Sequence, residues 1–353
     1  MSKQITIIGA GKTGRGFLAR LAAEKDVPVS FIDKDAALVQ RLNEEGSYTV
    51  RFFGGGRQSL TIKNYTVSTW ENADLSGSGT ILVSVGAANL PDVGHALRQR
   101  LLPGKDCRII TCENAVGPAE LLADAIGMDN VLVSEAAVFC TTIEDEGLSI
   151  ASENYPYLPF DKDRLPDFDP EIPTLRPTAH FGDFLKRKIF TYNSASGVIA
   201  YMGWLYGYKV YGEAANDPRI QELLTRHYEA VNRALCREFG YDPADQQEFA
   251  ALSRAKFCNR EIVDTIERNA RQARRKLGRI ERIFGPMELL RQYGEDTSVL
   301  QKTAAAAILY AGQIEKETET PEELIRAGAP WMDAGTREEI LTYCHTFEKE
   351  RRA

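Results

Sequence analysis

Residues 4–14 read QITIIGAGKTG, and this stretch decides the fold of the first half of the chain. Its apolar run ends in three glycines spaced as GxGxxG, and a helical pattern follows over residues 14–24. A second apolar run over residues 27–32 ends at Asp33. This order of strand, glycine turn, helix and strand predicts a βαβ unit with parallel strands.

The alternation of strand and helix continues beyond this unit. Further β-rich runs occupy residues 80–85, 107–111, 131–139 and 148–151, and helical patterns occupy residues 36–44 and 95–102. Residues 155–178 contain six prolines, which interrupt helices and sheets and predict an ordered surface loop or a domain junction. Long helical patterns follow at residues 220–238, 260–276, 303–315 and 337–351. We therefore predict an α/β domain over residues 1–182 and a mostly helical domain over residues 183–353.

Composition and charge exclude several classes of protein. The 353 residues include 43 Lys and Arg against 50 Asp and Glu, and the net charge of −7 does not favour a nucleic-acid partner. No apolar run reaches the length of a membrane-spanning helix, and the N-terminus lacks a signal-peptide pattern. The six cysteines form no CxxC pair, and the four histidines have no zinc-binding spacing. We expect a cytoplasmic protein with reduced thiols, no metal site, and no membrane or nucleic-acid partner.

The glycines after the first strand have the spacing of a dinucleotide-binding turn. Gly9 would allow the tight turn, Gly11 the close approach of the backbone to a pyrophosphate, and Gly14 the packing of helix against strand. The pyrophosphate would lie at the helix N-terminus beside Lys12 and Thr13, where free N–H groups favour negative charge. The alternative is a glycine-rich turn in another kind of α/β protein.

Asp33 follows the second strand, 19 residues after Gly14, and would accept hydrogen bonds from the ribose hydroxyls. A carboxylate there repels a 2′-phosphate, so the sequence favours NAD over NADP, although Lys34 could soften the repulsion. The end of a later strand supplies a second set of predicted cofactor contacts, namely Val85, Gly86 and Ala87. A plain strand-to-loop turn is the alternative there.

Residues 186–197 read KRKIFTYNSASG and carry a second motif. Lys188 and Asn193 fill a KxxxxN pattern, which AYMG follows at residues 200–203. Together these residues resemble the polyol-specific long-chain dehydrogenases (the mannitol dehydrogenase family), and within it the mannitol-1-phosphate 5-dehydrogenase group. The resemblance extends to GAG at residues 9–11, GRGF at 14–17, CEN at 112–114, RQ at 271–272 and RKL at 275–277.

The resemblance implies roles for individual residues. Lys188 would be the general base, with its pKa lowered toward neutrality by partial burial and by the cations Lys186 and Arg187. Asn193 and Asn114 would donate hydrogen bonds to the alcohol oxygen as it gains negative charge. The remaining implicated residues are Glu113 beside the cofactor and Arg275 and Lys276 beside an anionic substrate. For most cations of residues 271–279, a solvent-exposed helix face paired with Glu267 and Glu281 is the simpler interpretation.

The chain departs from the family pattern at two places. The family motif continues as KxxxxNxxH, and Ser196 occupies the position of the histidine. Serine can donate one hydrogen bond, but it is shorter and carries no charge near neutral pH. Where the family tends to have Val-Asp-Arg, this chain has Val138, Phe139 and Cys140. These changes imply an altered substrate, or weakened or lost catalysis.

The sequence therefore predicts an NAD-dependent oxidoreductase that interconverts a polyol or polyol phosphate with its ketose. Its predicted catalytic set is Lys188, Asn193, Asn114 and Ser196. One alternative is a hexuronate reductase that acts on a keto sugar acid, and another is a sensor that binds NAD without turnover. The chain is expected to act as a monomer or a dimer.

Overall fold

The computed structural model describes residues 4–53, 59–76, 78–101, 107–115, 117–170 and 172–352. The chain divides into two compact units, Met1–Gly182 and Asp183–Ala353. The first unit contains a parallel sheet with helices, and the second is built from helices. The predicted fold class, a Rossmann-type α/β region followed by a mostly helical region, is confirmed.

The strands of the first unit form three sheets. In chain order they are β1 (Gln4–Ile8), β2 (Val29–Ile32), β3 (Tyr48–Phe52), β4 (Ser59–Ile62), β5 (Tyr65–Ser68), β6 (Ser78–Val83), β7 (Cys107–Thr111), β8 (Val131–Glu135), β9 (Thr142–Glu144), β10 (Ile150–Ser152), β11 (Leu158–Asp161) and β12 (Leu175–Thr178). The largest sheet has the order β5-β2-β1-β6-β7-β8, and all its neighbouring pairs are parallel. The order reverses between β1 and β6, so the carboxyl ends of these strands form the crevice where doubly wound folds bind ligands.

Apolar side chains fill both faces of this six-stranded sheet. On β6, Leu82 joins one hydrophobic cluster, whereas Ile81 and Val83 join the cluster on the opposite face. Burial on both faces explains why these strands read as continuous apolar runs in the sequence. The helices of this unit are α1 (Ala19–Ala23), α2 (Ala36–Glu45), α3 (Leu90–Arg100) and α4 (Pro118–Ile126), and a π-helical turn, Gly14–Leu18, precedes α1.

Of the strands in the two smaller sheets, β10 overlaps the predicted run at residues 148–151, and the others were not predicted. One of these sheets has the order β4-β3-β10-β9, and in the other β11 pairs in parallel with β12. The β11–β12 pair occupies the proline-rich segment that was expected to be a loop or a junction. Leu158 and Phe160 on β11 are fully buried, so apolar burial outweighs the proline content there.

The helices of the second unit pack around one hydrophobic cluster. They are α5 (Phe181–Lys188), α6 (Ser194–Leu205), α7 (Tyr211–Ala215), α8 (Pro218–Phe239), α9 (Pro243–Cys258), α10 (Ile266–Ala270), α11 (Ala273–Lys276), α12 (Phe284–Gln292), α13 (Ser298–Gln313), α14 (Pro321–Gly328) and α15 (Ala334–Arg352). The alanines at residues 304–307 on α13 are fully buried, which lets neighbouring helices approach closely. Within the described ranges, no helix combines the length and apolar character needed to cross a membrane.

Two of the longer predicted elements end early or are interrupted in the structure. The helix predicted over residues 260–276 is broken between α10 and α11 at Gln272, whose φ is +62°. The Glu315 carboxylate accepts hydrogen bonds from the backbone N–H groups of Gln272 and Ala273, so a side chain distant in sequence starts α11. The strand predicted over residues 131–139 ends at Glu135.

Candidate functional site

A cavity of about 760 Å³ opens at the carboxyl ends of β1 and β6 in the first unit. Every predicted cofactor residue except Gly14 lines it, and so does Asn114, which follows β7. The predicted residues that line it are Gly9, Gly11, Lys12, Thr13, Asp33, Val85, Gly86, Ala87 and Glu113. This volume is within the range of cavities that enclose a small organic ligand.

The glycines of the first turn differ in how much room surrounds them. Gly9 has a φ of +100°, and a Cβ atom on it would overlap the Ser84 carbonyl oxygen. A Cβ atom on Gly14 would overlap the Gly9 carbonyl oxygen. A Cβ atom on Gly11 would have no described atom within 4 Å. The turn is therefore tightly packed at its two ends and open in the middle, toward the cavity.

Asp33 lies at the cavity beside this turn. One of its carboxylate oxygens accepts a hydrogen bond from the Ala10 N–H at 2.6 Å, and the other accepts one from the Asp35 N–H at 2.9 Å. Each oxygen has a further lone pair, so the carboxylate can also accept hydroxyl donors of a ligand. The Lys34 ammonium donates to the Asn89 side-chain oxygen at 3.0 Å.

The Glu113 carboxylate contacts the backbone of Val85 and Gly86, which belong to the second set of predicted cofactor contacts. One of its carboxylate oxygens accepts hydrogen bonds from the Val85 N–H at 2.7 Å and the Gly86 N–H at 2.8 Å. Burial raises the pKa of Glu113, and these two N–H donors oppose the rise. Because both N–H groups point to an internal carboxylate, Val85 and Gly86 would contact a ligand through other atoms.

Trp70 and Asn89 line the same cavity, and sequence reasoning missed both. The Arg100 guanidinium lies 5.5 Å from the Trp70 ring centroid, and the Asn89 amide donates to the Val85 carbonyl oxygen at 2.7 Å. Asn89 could have been suspected because it closely follows the predicted turn at residues 85–87. No sequence feature identifies Trp70 as a cavity residue, apart from its position after an apolar run.

Residues 138–140 stand where the family tends to have Val-Asp-Arg, and they do not all line the cavity. Val138 lines the cavity. Phe139 is buried and stacks on Tyr155, with 5.2 Å between the ring centroids, and Cys140 Sγ lies 3.3 Å from the Ser152 hydroxyl. Packing within the first unit thus accounts for the apolar character of Phe139 and Cys140.

Lys188 is buried in the second unit, at the end of α5. Burial, reinforced by the positive charges of Lys256 and Arg282, lowers the pKa of Lys188 to about 7. The shift has the direction expected for a general base. Lys256 belongs to α9, and Arg282 precedes α12, so both lie far from Lys188 in sequence.

The prediction that Lys186 and Arg187 lower the pKa of Lys188 was wrong. The Lys186 side chain is exposed and lies 3.9 Å from Asp183. Arg187 forms an ion pair with Asp245 at 2.6 Å, so its charge is compensated. Neighbours in sequence therefore do not depress the pKa of Lys188, because their side chains leave the helix in other directions.

Gln246 instead links the side chains of Arg187 and Thr191, which lie on either side of Lys188 in the sequence. The Arg187 Nε donates to Gln246 Oε1 at 2.7 Å, and Gln246 Nε2 donates to the Thr191 hydroxyl at 3.2 Å. Gln246 and Thr191 are fully buried. One glutamine of α9 thus holds the residue before Lys188 and a residue three positions after it.

A π-helical turn, Ile189–Asn193, connects α5 to α6. Hydrogen bonds in such a turn join residues five apart, as the Ser194 N–H does with the Ile189 carbonyl oxygen. Lys188 and Asn193 are also five apart, so the wider turn brings them closer to a common face than an α-helix would. Such turns are frequent at functional sites.

Ser196 lies on α6, three residues after Asn193. The buried Tyr211 hydroxyl faces it, and this interaction with Ser196 partly opposes the effect of burial on the pKa of Tyr211. Burial raises the pKa of Tyr211 well above its usual value, so this hydroxyl stays protonated. Two neutral hydroxyls therefore occupy the region where the family motif has a histidine.

The two predicted substrate cations have different surroundings. Lys276 is buried, and its pKa is lowered to about 7 by burial first and then by the charges of Arg282 and Arg275. Arg275 is half exposed and forms an ion pair with Glu281. Two further exposed arginines of this segment also pair with carboxylates: Arg274 with Glu319 and Arg279 with Glu288.

Comparison with known proteins links both units to oxidoreductases. Residues 180–326 match the mannitol dehydrogenase C-terminal domain, and residues 5–154 match ketopantoate reductase PanE/ApbA. Mannitol-1-phosphate 5-dehydrogenase of Bacillus licheniformis is 26% identical over 327 residues, which cover 86% of either chain.

Two solved structures share the fold over 99% of this chain, each at 13% sequence identity. One is D-sorbitol dehydrogenase in substrate-free form, with a TM-score of 0.76 over 94% of its length. The other is Pseudomonas fluorescens mannitol 2-dehydrogenase in ternary complex with NAD and D-mannitol, with a TM-score of 0.70 over 92% of its length. The predicted resemblance to the mannitol dehydrogenase family is therefore confirmed by the match of residues 180–326 to the mannitol dehydrogenase C-terminal domain and by the similarity to mannitol-1-phosphate 5-dehydrogenase.

Proposed function

We propose that the protein is an NAD-dependent oxidoreductase that interconverts a polyol or polyol phosphate with the corresponding ketose. The observation that carries this proposal is Lys188, a buried lysine whose pKa is lowered to about 7 and which is one π-helical turn from Asn193. The family resemblance supports the same class of reaction. On this proposal, residues 1–182 bind NAD, and residues 183–353 form the substrate and catalytic domain.

Lys188 acts as the general base of the proposed oxidation. Its neutral Nζ accepts the proton of the substrate hydroxyl, which an ordinary lysine, almost wholly charged at neutral pH, could not do. The Asn193 amide donates a hydrogen bond to the same oxygen as negative charge develops there. In the reverse reaction, the Lys188 ammonium returns the proton to the ketone oxygen. Bound NAD supplies the hydride acceptor.

The cavity of the first unit supports NAD as the cofactor. Gly11 leaves room for a pyrophosphate, and Asp33 keeps lone pairs for ribose hydroxyls. The Asp33 carboxylate also repels a 2′-phosphate, which favours NAD over NADP. The role of Asn114 as a hydrogen-bond donor to the substrate oxygen stays a prediction.

A keto sugar acid is the alternative substrate, because the cations near Lys276 suit a carboxylate as well as a phosphate. Mannitol 1-phosphate itself is expected to be a poor substrate. Ser196 and Tyr211 provide only neutral hydroxyls where the family motif provides a histidine. A site that hydrogen-bonds particular hydroxyls discriminates strongly between substrates. The change should therefore alter which substrate is preferred, rather than lower the kcat/KM of every substrate equally.

A substrate screen tests the proposal. Initial rates are measured with NAD and a panel of polyols, polyol phosphates and sugar acids, by the absorbance of NADH. The proposal expects at least one alcohol with a kcat/KM of about 10⁴ M⁻¹s⁻¹ or more. Oxidation of sugar acids alone, which is the reverse of keto sugar acid reduction, would support the hexuronate alternative. NAD binding without turnover of any compound would contradict the proposal and favour a sensor.

A further inference from the structure

Arg282 lies beside the catalytic set of the second unit. Its aliphatic stem crosses α6 at Gly197, where a Cβ atom would lie 3.7 Å from both the Cγ and the Cδ of the arginine. Gly197 directly follows Ser196, so Arg282 is adjacent to the position where the family motif has its histidine. Only 17% of the Arg282 side chain is exposed.

The Arg282 guanidinium has few partners of its own. Its Nε donates to one Glu281 oxygen at 3.4 Å, which is a long hydrogen bond, and Arg275 binds the other oxygen of Glu281. Among the described residues, no other hydrogen bond or ion pair of Arg282 is found. The terminal nitrogens of the guanidinium therefore keep their N–H donors for a ligand.

Positive charge exceeds negative charge around this arginine. After the larger effect of burial, the Arg282 charge lowers the pKa of both Lys188 and Lys276. The opposing carboxylates are Glu281, which two arginines share, and Glu315, which also caps α11. A largely buried arginine with unused donors, surrounded by an excess of positive charge, is suited to bind an anionic group.

We propose that Arg282 binds the negatively charged group of the substrate, a phosphate or a carboxylate, through its terminal N–H donors. This inference rests on the proposed function, because it names the residue that recognises an anionic substrate. The planar guanidinium can bind two oxygens of either group at once. The bound anion offsets the local positive charge, so Lys188 and Lys276 take up protons when it binds.

Calorimetric titration of the full-length protein tests this role. The probes are mannitol 1-phosphate, glucuronate and uncharged mannitol, and the variants are Arg282→Gln, Arg282→Lys and the control Arg279→Gln. Arg279 is exposed, precedes Arg282 by three residues and pairs with Glu288. We expect the wild type to bind an anionic probe more tightly than mannitol. We expect Arg282→Gln to lower the affinity for that anionic probe by about 10–100-fold. Arg282→Lys is expected to be intermediate, and Arg279→Gln unchanged.

Proton uptake is a second readout that a merely structural arginine would not produce. Titrations at about pH 8, in two buffers of different ionisation enthalpy, are expected to show proton uptake by the wild type on anion binding, because the lysine pKa values near 7 rise. Thermal unfolding and NAD affinity report whether Arg282→Gln folds. If it does not, Arg282→Lys decides, since it keeps the charge without the planar donor pair.

The role of Arg282 is overturned if the wild type does not prefer an anionic probe, or if the folded Arg282 variants bind that probe as tightly as the wild type. Turnover separates this inference from the proposed function. Oxidation of uncharged polyols alone would retain the proposed function and remove the role of Arg282. Anion binding through Arg282, without turnover of any compound in the screen, would retain the role and remove the proposed function.

Discussion

The proposed cofactor cavity depends on the local backbone, whereas the environment of Lys188 depends on side chains from distant segments. The cavity depends on a contiguous turn whose backbone carries the geometry: Gly9 and Gly14 tolerate no side chain, and Gly11 leaves space. The surroundings of Lys188 depend on side chains from distant segments, above all Lys256 and Arg282. A backbone site of this kind is encoded locally, whereas a shifted pKa is a property of the packed unit. Substitutions should therefore act differently in the two regions.

The largest effect is expected at Lys188. Lys188→Ala removes the proposed general base, so kcat should fall by about 10²–10⁴-fold while NAD affinity stays unchanged. Lys186→Ala, an exposed lysine on the same helix, is the matched control and should keep wild-type kcat. Steady-state kinetics with the best substrate and a direct NAD titration measure both quantities. Wild-type turnover in Lys188→Ala would show that this lysine is not the base.

Substitutions of the glycines test whether the backbone of the turn forms the proposed cofactor cavity. Gly9→Ala and Gly14→Ala force a methyl group onto a carbonyl oxygen, so each should abolish NAD binding and lower the free energy of unfolding by about 1–3 kcal/mol. Gly11→Ala has room in the unliganded protein, so its stability should change by no more than about 0.5 kcal/mol.

The added methyl of Gly11→Ala occupies ligand space, so NAD affinity should still fall by about 10-fold or more. Gly46→Ala is the control for a glycine with positive φ and no described atom near its Cβ position. It should lose some stability and keep NAD affinity. Chemical denaturation and NADH fluorescence titration separate the two effects, and unchanged NADH binding in Gly11→Ala would contradict the predicted role of this turn.

A smaller effect is expected from Asp33. The wild type should bind NADH more tightly than NADPH, because the carboxylate repels a 2′-phosphate. Asp33→Asn keeps the size of the side chain and removes its charge, so the preference for NADH should fall by about 10-fold. Fluorescence titration of both cofactors measures the ratio. Equal or tighter binding of NADPH by the wild type would mean that Lys34 outweighs Asp33.

The smallest effect is expected from Lys256, as a shift of a pH profile. The neutral form of Lys188 is the active base, so oxidation should fall as the pH drops below about 7. Lys256→Gln removes a positive charge that favours the neutral form, so the pKa of Lys188 should rise by about 0.5–1 unit. The midpoint of kcat/KM against pH should move upward by the same amount. Lys349→Gln, an exposed lysine on α15, should leave the profile unchanged, and a downward shift in Lys256→Gln would contradict this electrostatic account.

Much of the first unit could be predicted from the sequence. The alternation of apolar runs and helical patterns, the glycine spacing and the place of Asp33 are local features, and they led to the parallel sheet and to the residues that line its cavity. The pairing of β11 with β12 could not be predicted, because proline content is visible locally but burial of Leu158 and Phe160 is not. The same limit applies to Glu113, whose partners on Val85 and Gly86 belong to another strand end.

In the second unit, the sequence by itself determined the helical class and the KxxxxN motif, because periodicity and motif spacing are written along the chain. Only the tertiary structure decided that the helix predicted over residues 260–276 is broken at Gln272, where Glu315 caps α11, and that Lys256 and Arg282, rather than Lys186 and Arg187, lower the pKa of Lys188. Burial and electrostatic interaction depend on distances through space. A helix directs adjacent side chains to different sides, so neighbours along the chain are poor guides to the neighbours that set a pKa.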